Sequence, residues 1–178
     1  MEKVKFTIRQ IQTMDIGALR QMSVDFVNEE FGIGLMDYPH MDEAEVDKHM
    51  LNVLMTKDNP DMIYLIAYAG KKPVGFLLGY IGFHEWGSPT RVGVGQEIYV
   101  IPEKRGGKIA LKLMEKAFEI AINKGVESLE CIGSYNGTDK KWAKFGFQPH
   151  LTYGHMPKDK FIGLVKRFTK GSTEDNVQ

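Results

Sequence analysis

Residues 96–111 read QEIYVIPEKRGGKIAL, and the architecture of the chain turns on this stretch. An apolar run suited to a strand ends at Ile101-Pro102. A short loop rich in glycine and positive charge follows, and a helical pattern then opens. The first N–H groups of a helix lack intrahelical acceptors, and the helix dipole adds partial positive charge there. Gly106 and Gly107 keep side chains out of the path of an approaching anion, while Arg105 and Lys108 add charge. Residues of these types in this order suit a phosphate-binding turn. A strand-to-helix turn that uses glycine only for its geometry would share the local pattern. Two nucleotide-binding patterns are absent. Lys108 is followed by Ile109, and Pro102 stands where G-x-x-x-x-G-K-[ST] needs its first glycine. Beyond Gly93 and Gly95, Ile98 occupies the place of the third glycine of a dinucleotide fingerprint.

Moving outward, residues 107–124 predict a helix. Ile109, Ala110, Leu113, Met114, Ala117, Phe118, Ala121 and Ile122 form its apolar face, and Gly125 its cap. A strand follows at about 127–132, then a short helix over 136–145 and a last strand near 148–156. Upstream, 62–70 and 74–83 read as a hairpin around Gly70-Lys71-Lys72-Pro73, and 92–101 as the next strand. Gly93 and Gly95 predict a bulge or a close backbone approach in that strand. The N-terminal part gives a strand at 4–9 and helices at about 14–31 and 43–56. Thr13 or Asp15 is placed to cap the first helix, and Asp42 with Glu45 to box the second. The order β-α-α-β-β-β-α-β-α-β predicts a single α/β (α+β) domain over 1–165, a mixed central sheet flanked by helices, with a polar tail at 166–178.

Composition narrows the function classes. The 178 residues carry 23 Lys plus Arg and 23 Asp plus Glu, a net charge of zero, which speaks against a nucleic-acid binder. A neutral chain that binds an anion must concentrate its cations, and Lys104, Arg105, Lys108 and Lys112 do so. One cysteine excludes an intramolecular disulfide, and no apolar run approaches the roughly 20 residues of a membrane span. The expected location is cytoplasmic.

At 96–111 the chain resembles the GNAT superfamily of N-acetyltransferases, whose signature Q/R-x-x-G-x-G/A follows a strand ending in V-x-P. Here Val100-Ile101-Pro102 precedes Arg105-Gly106-Gly107-Lys108-Ile109-Ala110, with Lys108 in place of the middle glycine and Gly107 one position early. A second likeness lies at Asn136, Trp142 and Gly146-Phe147, with Trp142 where the family places a Tyr. The resemblance covers roughly 60–157 and implies a GNAT-like fold that splays its fourth and fifth strands around acetyl-CoA as co-substrate. It implies that the backbone near Ile98, Val100 and Ile101 pairs with the pantetheine arm and that Arg105, Gly106, Gly107, Lys108, Ile109 and Ala110 cradle the pyrophosphate. Asn136 and Trp142 join this cofactor-binding set by the same likeness. The implied activity is transfer of an acyl group to a small-molecule or peptide amine by direct attack, without a metal; a homodimer is in keeping with the family.

An amine of pKa about 10.4 arrives protonated at neutral pH, so attack on a thioester needs a base. Glu97, a carboxylate in an otherwise apolar strand, is the base candidate, and a glutamate merely meeting solvent or a cation is the alternative. Trp142 cannot donate as an acid, which leaves Tyr135 or Tyr153, or a thiolate that departs unaided. His40, His49, His84, His150 and His155 show no metal-ligand spacing. His84-Glu85-Trp86 could line an acceptor pocket. Cys131, within LECI, reads as a small core residue rather than a nucleophile. Two further readings remain: a non-catalytic GNAT-like module that binds CoA or a protein partner, and a binder of another phosphorylated ligand.

Overall fold

In the computed structural model of the chain, the described residues are 6–30, 43–83 and 91–131, with the side chains of 30, 96 and 128–131 left aside. They fall within the first of two compact units, Met1–Gln148; the second, Pro149–Gln178, lies outside the described residues. With it lies the domain end expected at 165. The elements are β1 (Phe6–Gln10), a 3₁₀ turn (Thr13–Asp15), α1 (Ile16–Glu30), α2 (Glu43–Thr56), β2 (Met62–Ala69), β3 (Lys72–Phe83) and β4 (Arg91–Val100). A second 3₁₀ turn (Pro102–Lys104), α3 (Ile109–Asn123) and β5 (Ser128–Cys131) complete them. The helix and strand expected at 136–145 and 148–156 fall outside the described residues.

The five strands lie in the order β1-β2-β3-β4-β5. The first three neighbouring pairs are antiparallel and β4–β5 is parallel, so the sheet is mixed as expected. Helices cover both faces, which is why β2 buries five successive residues, Ile63 to Ala67, instead of alternating. α1 presents Leu19, Met22 and Val27 to the core, and α2 presents Val46, Met50 and Val53. The α3 face is narrower than its sequence suggests. Ile109, Leu113, Met114, Ala117 and Ala121 are buried, but Ile122 is 65% exposed, because the sheet meets only part of the apolar stripe. The end of α3 closes on Gly125, whose N–H donates to Ile122 O at 3.0 Å while Val126 N–H donates to Ala121 O at 3.1 Å.

Two expectations shift. Neither Thr13 nor Asp15 caps α1 as a lone N-cap. Both enter a 3₁₀ turn in which Asp15 Oδ2 accepts the Gln12 N–H at 2.7 Å. The helix expected from 107 begins at Ile109, leaving Gly106, Gly107 and Lys108 in the turn before it.

Candidate active site

The centre of interest is the second half of β4. Its register against β3 runs Leu78↔Glu97 and then Gly79↔Gly95, so Gln96 is an extra residue, a bulge immediately after Gly95. This is the irregularity that the strand glycines forecast. Gly79 makes it possible from the other side: a Cβ there would stand 2.7 Å from Val94 O, closer than a side chain tolerates. Pairing with β5 runs from Val92↔Ser128 to Gly95↔Cys131 and reaches no further among the described residues. Beyond the bulge, β4 therefore has an edge with no described partner.

Which groups face that edge follows from strand alternation. Ile101 N–H donates to Val74 O at 3.1 Å, and Tyr99 O lies where a Cβ on Gly75 would strike it at 2.6 Å, so both turn toward β3. Main-chain groups alternate sides along a strand, which leaves Ile98 and Val100 facing the other way. Of the three residues expected to offer main-chain groups, Ile98 and Val100 thus face the edge and Ile101 does not.

Side chains alternate too. Glu97 and Tyr99 fall on the face covered by α1 and α2. Tyr99 packs edge-on against Phe26 of α1, with ring centroids 6.1 Å apart. Its hydroxyl donates to Glu29 Oε1 at 3.0 Å. Burial, reinforced by that carboxylate, pushes the phenol up to about 12, so it holds its proton at neutral pH. Glu97 is one-fifth exposed (21%) and meets His49 of α2, whose Nε2 lies 3.1 Å from Glu97 Oε1. The contact with Glu97 raises the imidazole above its ordinary 6.5, against the opposing pull of burial. His49 was missed in the sequence because nothing at 43–56 marks it, and its partner lies on another element.

The turn that follows β4 is also partly engaged. Arg105 donates from Nε to Val100 O at 2.7 Å and from Nη2 to Glu29 Oε2 at 2.5 Å. Its guanidinium carbon lies 5.3 Å from the Tyr99 ring centroid. Expected as a phosphate ligand, Arg105 is thus also a clasp between α1 and the end of β4. Gly106 has φ +75°, the left-handed region that favours glycine. Lys108, the N-cap residue of α3, makes no side-chain capping hydrogen bond. Lys112 pairs with Glu115, whereas Lys104 and Lys108 make no ion pair among the described residues. The first N–H groups of α3, the open glycines and the lysines that have no ion pair among the described residues form a donor set that suits a pyrophosphate. Tyr135, Asn136, Trp142 and Tyr153 lie outside the described residues, as do His40, His84, His150 and His155. Cys131 closes β5, and its side chain is not described. Among the described residues no helix is long and apolar enough to cross a membrane.

Comparison with known proteins follows the same lines. Residues 25–147 match the acetyltransferase (GNAT) family. An uncharacterized N-acetyltransferase of Archaeoglobus fulgidus is 32% identical over 91 residues, which are 51% of this chain and 60% of that protein. Among solved structures, a predicted acetyltransferase from Clostridium acetobutylicum with acetyl-CoA aligns with a TM-score of 0.67 at 19% identity, over 86% of this chain and 96% of that one. The aminoglycoside acetyltransferase AAC(6')-Iy, in complex with a bisubstrate analogue joining CoA and acetylneamine, aligns with a TM-score of 0.64 at 19% identity, over 86% and 98%. At these identities the structures speak for the fold.

Proposed function

The chain belongs to the acetyltransferase (GNAT) family, and from that premise we propose that it transfers an acetyl group from acetyl-CoA to a primary amine by direct attack in a ternary complex. The observation that carries this reading is the bulge at Gln96, which sets Glu97 beside the β4 edge where described pairing with β5 ends. Acetyl-CoA would bring the acetyl thioester and its thiolate leaving group. The N–H groups of Ile109 and Ala110, with Gly106, Gly107, Lys104 and Lys108, would hold its pyrophosphate. Arg105 would contribute the N–H groups left over from its clasp. Ile98 and Val100 would pair with the pantetheine arm, and Asn136 and Trp142 complete the binding set on the family likeness. Glu97 would take a proton from the ammonium, freeing the nitrogen lone pair to form the N–C bond. A β4 N–H would meet the negative charge that develops on the acyl oxygen. The C–S electrons would leave on sulfur, which takes a proton from Tyr135, Tyr153 or water; the second amine proton restores that donor. A cytoplasmic location, a small-molecule or peptide amine as acceptor and a homodimeric state go with this reading.

Calorimetry with acetyl-CoA and CoA, followed by lysine, spermidine, kanamycin and a peptide with a free α-amine under a thiol-release readout, tests it. Binding and turnover are expected. No binding at millimolar CoA would overturn it. Binding without turnover would favour the non-catalytic module, which Lys108 in place of the family glycine makes the second reading.

A further inference from the structure

Among the described residues, Glu97 is the one charged group that acts on His49. On α2, Glu45 is engaged with Lys48 and Asp47 with Arg20 of α1. On α1, Glu29 is taken by Arg105 and Tyr99, and Asp25 accepts from Gln21. On β3, the residue opposite Glu97 is the apolar Leu78. His49 Nε2 is buried, and although Glu97 Oε1 is 3.1 Å away, the geometry completes no hydrogen bond at Nε2. A carboxylate only accepts. An unprotonated Nε2 at that distance sets lone pair against lone pair, so the pair favours holding one proton between its two groups.

Resting on the reading of Glu97 as the base, we propose that His49 is a positioning residue that acts through Glu97, receiving at Nε2 the proton that Glu97 removes from the amine. The ammonium N–H bond breaks and its electron pair stays on nitrogen as the attacking lone pair. The proton passes by way of Oε1 to Nε2, where an N–H bond forms, and His49 releases it to solvent before the next turnover. Glu97 ends the step as it began, an anion. A lone glutamate, with its pKa of about 4.3, is a weak base for an amine at neutral pH, and a base works best when its own pKa lies near the operating pH. Coupling to an imidazole brings proton uptake into that range, and the titration then belongs to the pair rather than to either member. The competent form is the one without the shared proton, so the rate rises as pH passes upward through the pair's titration.

Two measurements test this. Histidine titration by NMR should place the His49 midpoint above about 6.5 in the native chain and lower it in Glu97→Gln. The pH profile of kcat/KM, with acetyl-CoA and the fastest amine of the panel above, should rise about tenfold per unit below that midpoint and level off above it. His49→Gln should abolish this limb between about pH 6 and 8 and lower the plateau about tenfold or more. His49→Asn serves as the second variant, and both are compared with the native unfolding transition. A limb that persists in a folded His49 variant overturns the proposal and leaves Glu97 as the base. Full activity in Glu97→Gln instead overturns the base assignment. Turnover of no amine overturns both. If both His49 variants unfold, an unshifted His49 midpoint in Glu97→Gln still overturns the proposal.

Discussion

Two carboxylates of this chain, Asp15 beside β1 and Glu97 in β4, are each drawn to a basic side chain, and they end in opposite states. Asp15 is almost wholly buried and saturated. Its Oδ2 accepts from Arg9 Nη1 at 2.6 Å and from the Gln12 N–H at 2.7 Å. Its Oδ1 accepts from Arg9 Nη2 at 2.8 Å and from the Tyr68 hydroxyl at 2.5 Å. Burial would raise its pKa, but these donors outweigh burial and hold the carboxyl below its usual range. Glu97 keeps partial exposure and, among the described residues, one ionisable neighbour, an imidazole with no hydrogen bond completed at Nε2. Four donors fix the first group as a permanent charge and make it structural. The second keeps partial exposure and its neighbouring imidazole, the setting on which the proposed base role rests.

The largest expected effect strikes the open member of the comparison. Glu97→Gln should lower kcat/KM about 100- to 1000-fold while CoA affinity measured by calorimetry stays within about threefold. An equal loss in both would make Glu97 structural, like Asp15. Asp15→Asn is the converse: the amide loses the charge that faces Arg9 and sets a donor among groups of which Arg9 and the Gln12 N–H can only donate, which should cost about 3 kcal/mol in denaturant unfolding with the rate per folded molecule unchanged. Gly106→Ala forces a side chain into a left-handed backbone, and should cost about 1 kcal/mol and weaken CoA. The Arg105–Glu29 clasp is half exposed, so Glu29→Gln should change stability by under about 1 kcal/mol.

Proton linkage separates the carboxylates by sign. The folded pKa of Asp15 lies below its unfolded value, so its contribution is present above the usual carboxylate range and is lost as pH falls. The folded pKa of His49 lies above its unfolded value, so the pair with Glu97 contributes below about 6.5 and fades as pH rises through the raised midpoint. Unfolding followed from acid to mild alkali should show both slopes. Asp15→Asn should reduce the acid slope, and Glu97→Gln the neutral one.

What local sequence determines here is what local geometry can encode. Periodicity places eight of the elements, the five strands and three helices from β1 through β5, because one face of each must be apolar wherever it packs. Gly93 and Gly95 announced a break in β4, and proline, glycine and cations announced the turn into α3, since those residue types act on their own backbone. Tertiary structure alone decided which neighbours these residues meet. Arg105 is clasped by Glu29, 76 positions away, and His49 reaches Glu97 from another helix. The bulge falls on Gln96 because β3 sets the register, and Ile122 stays exposed because the sheet ends before the helical stripe does. Pairing across such separations depends on how layers pack, and no spacing along the chain records it.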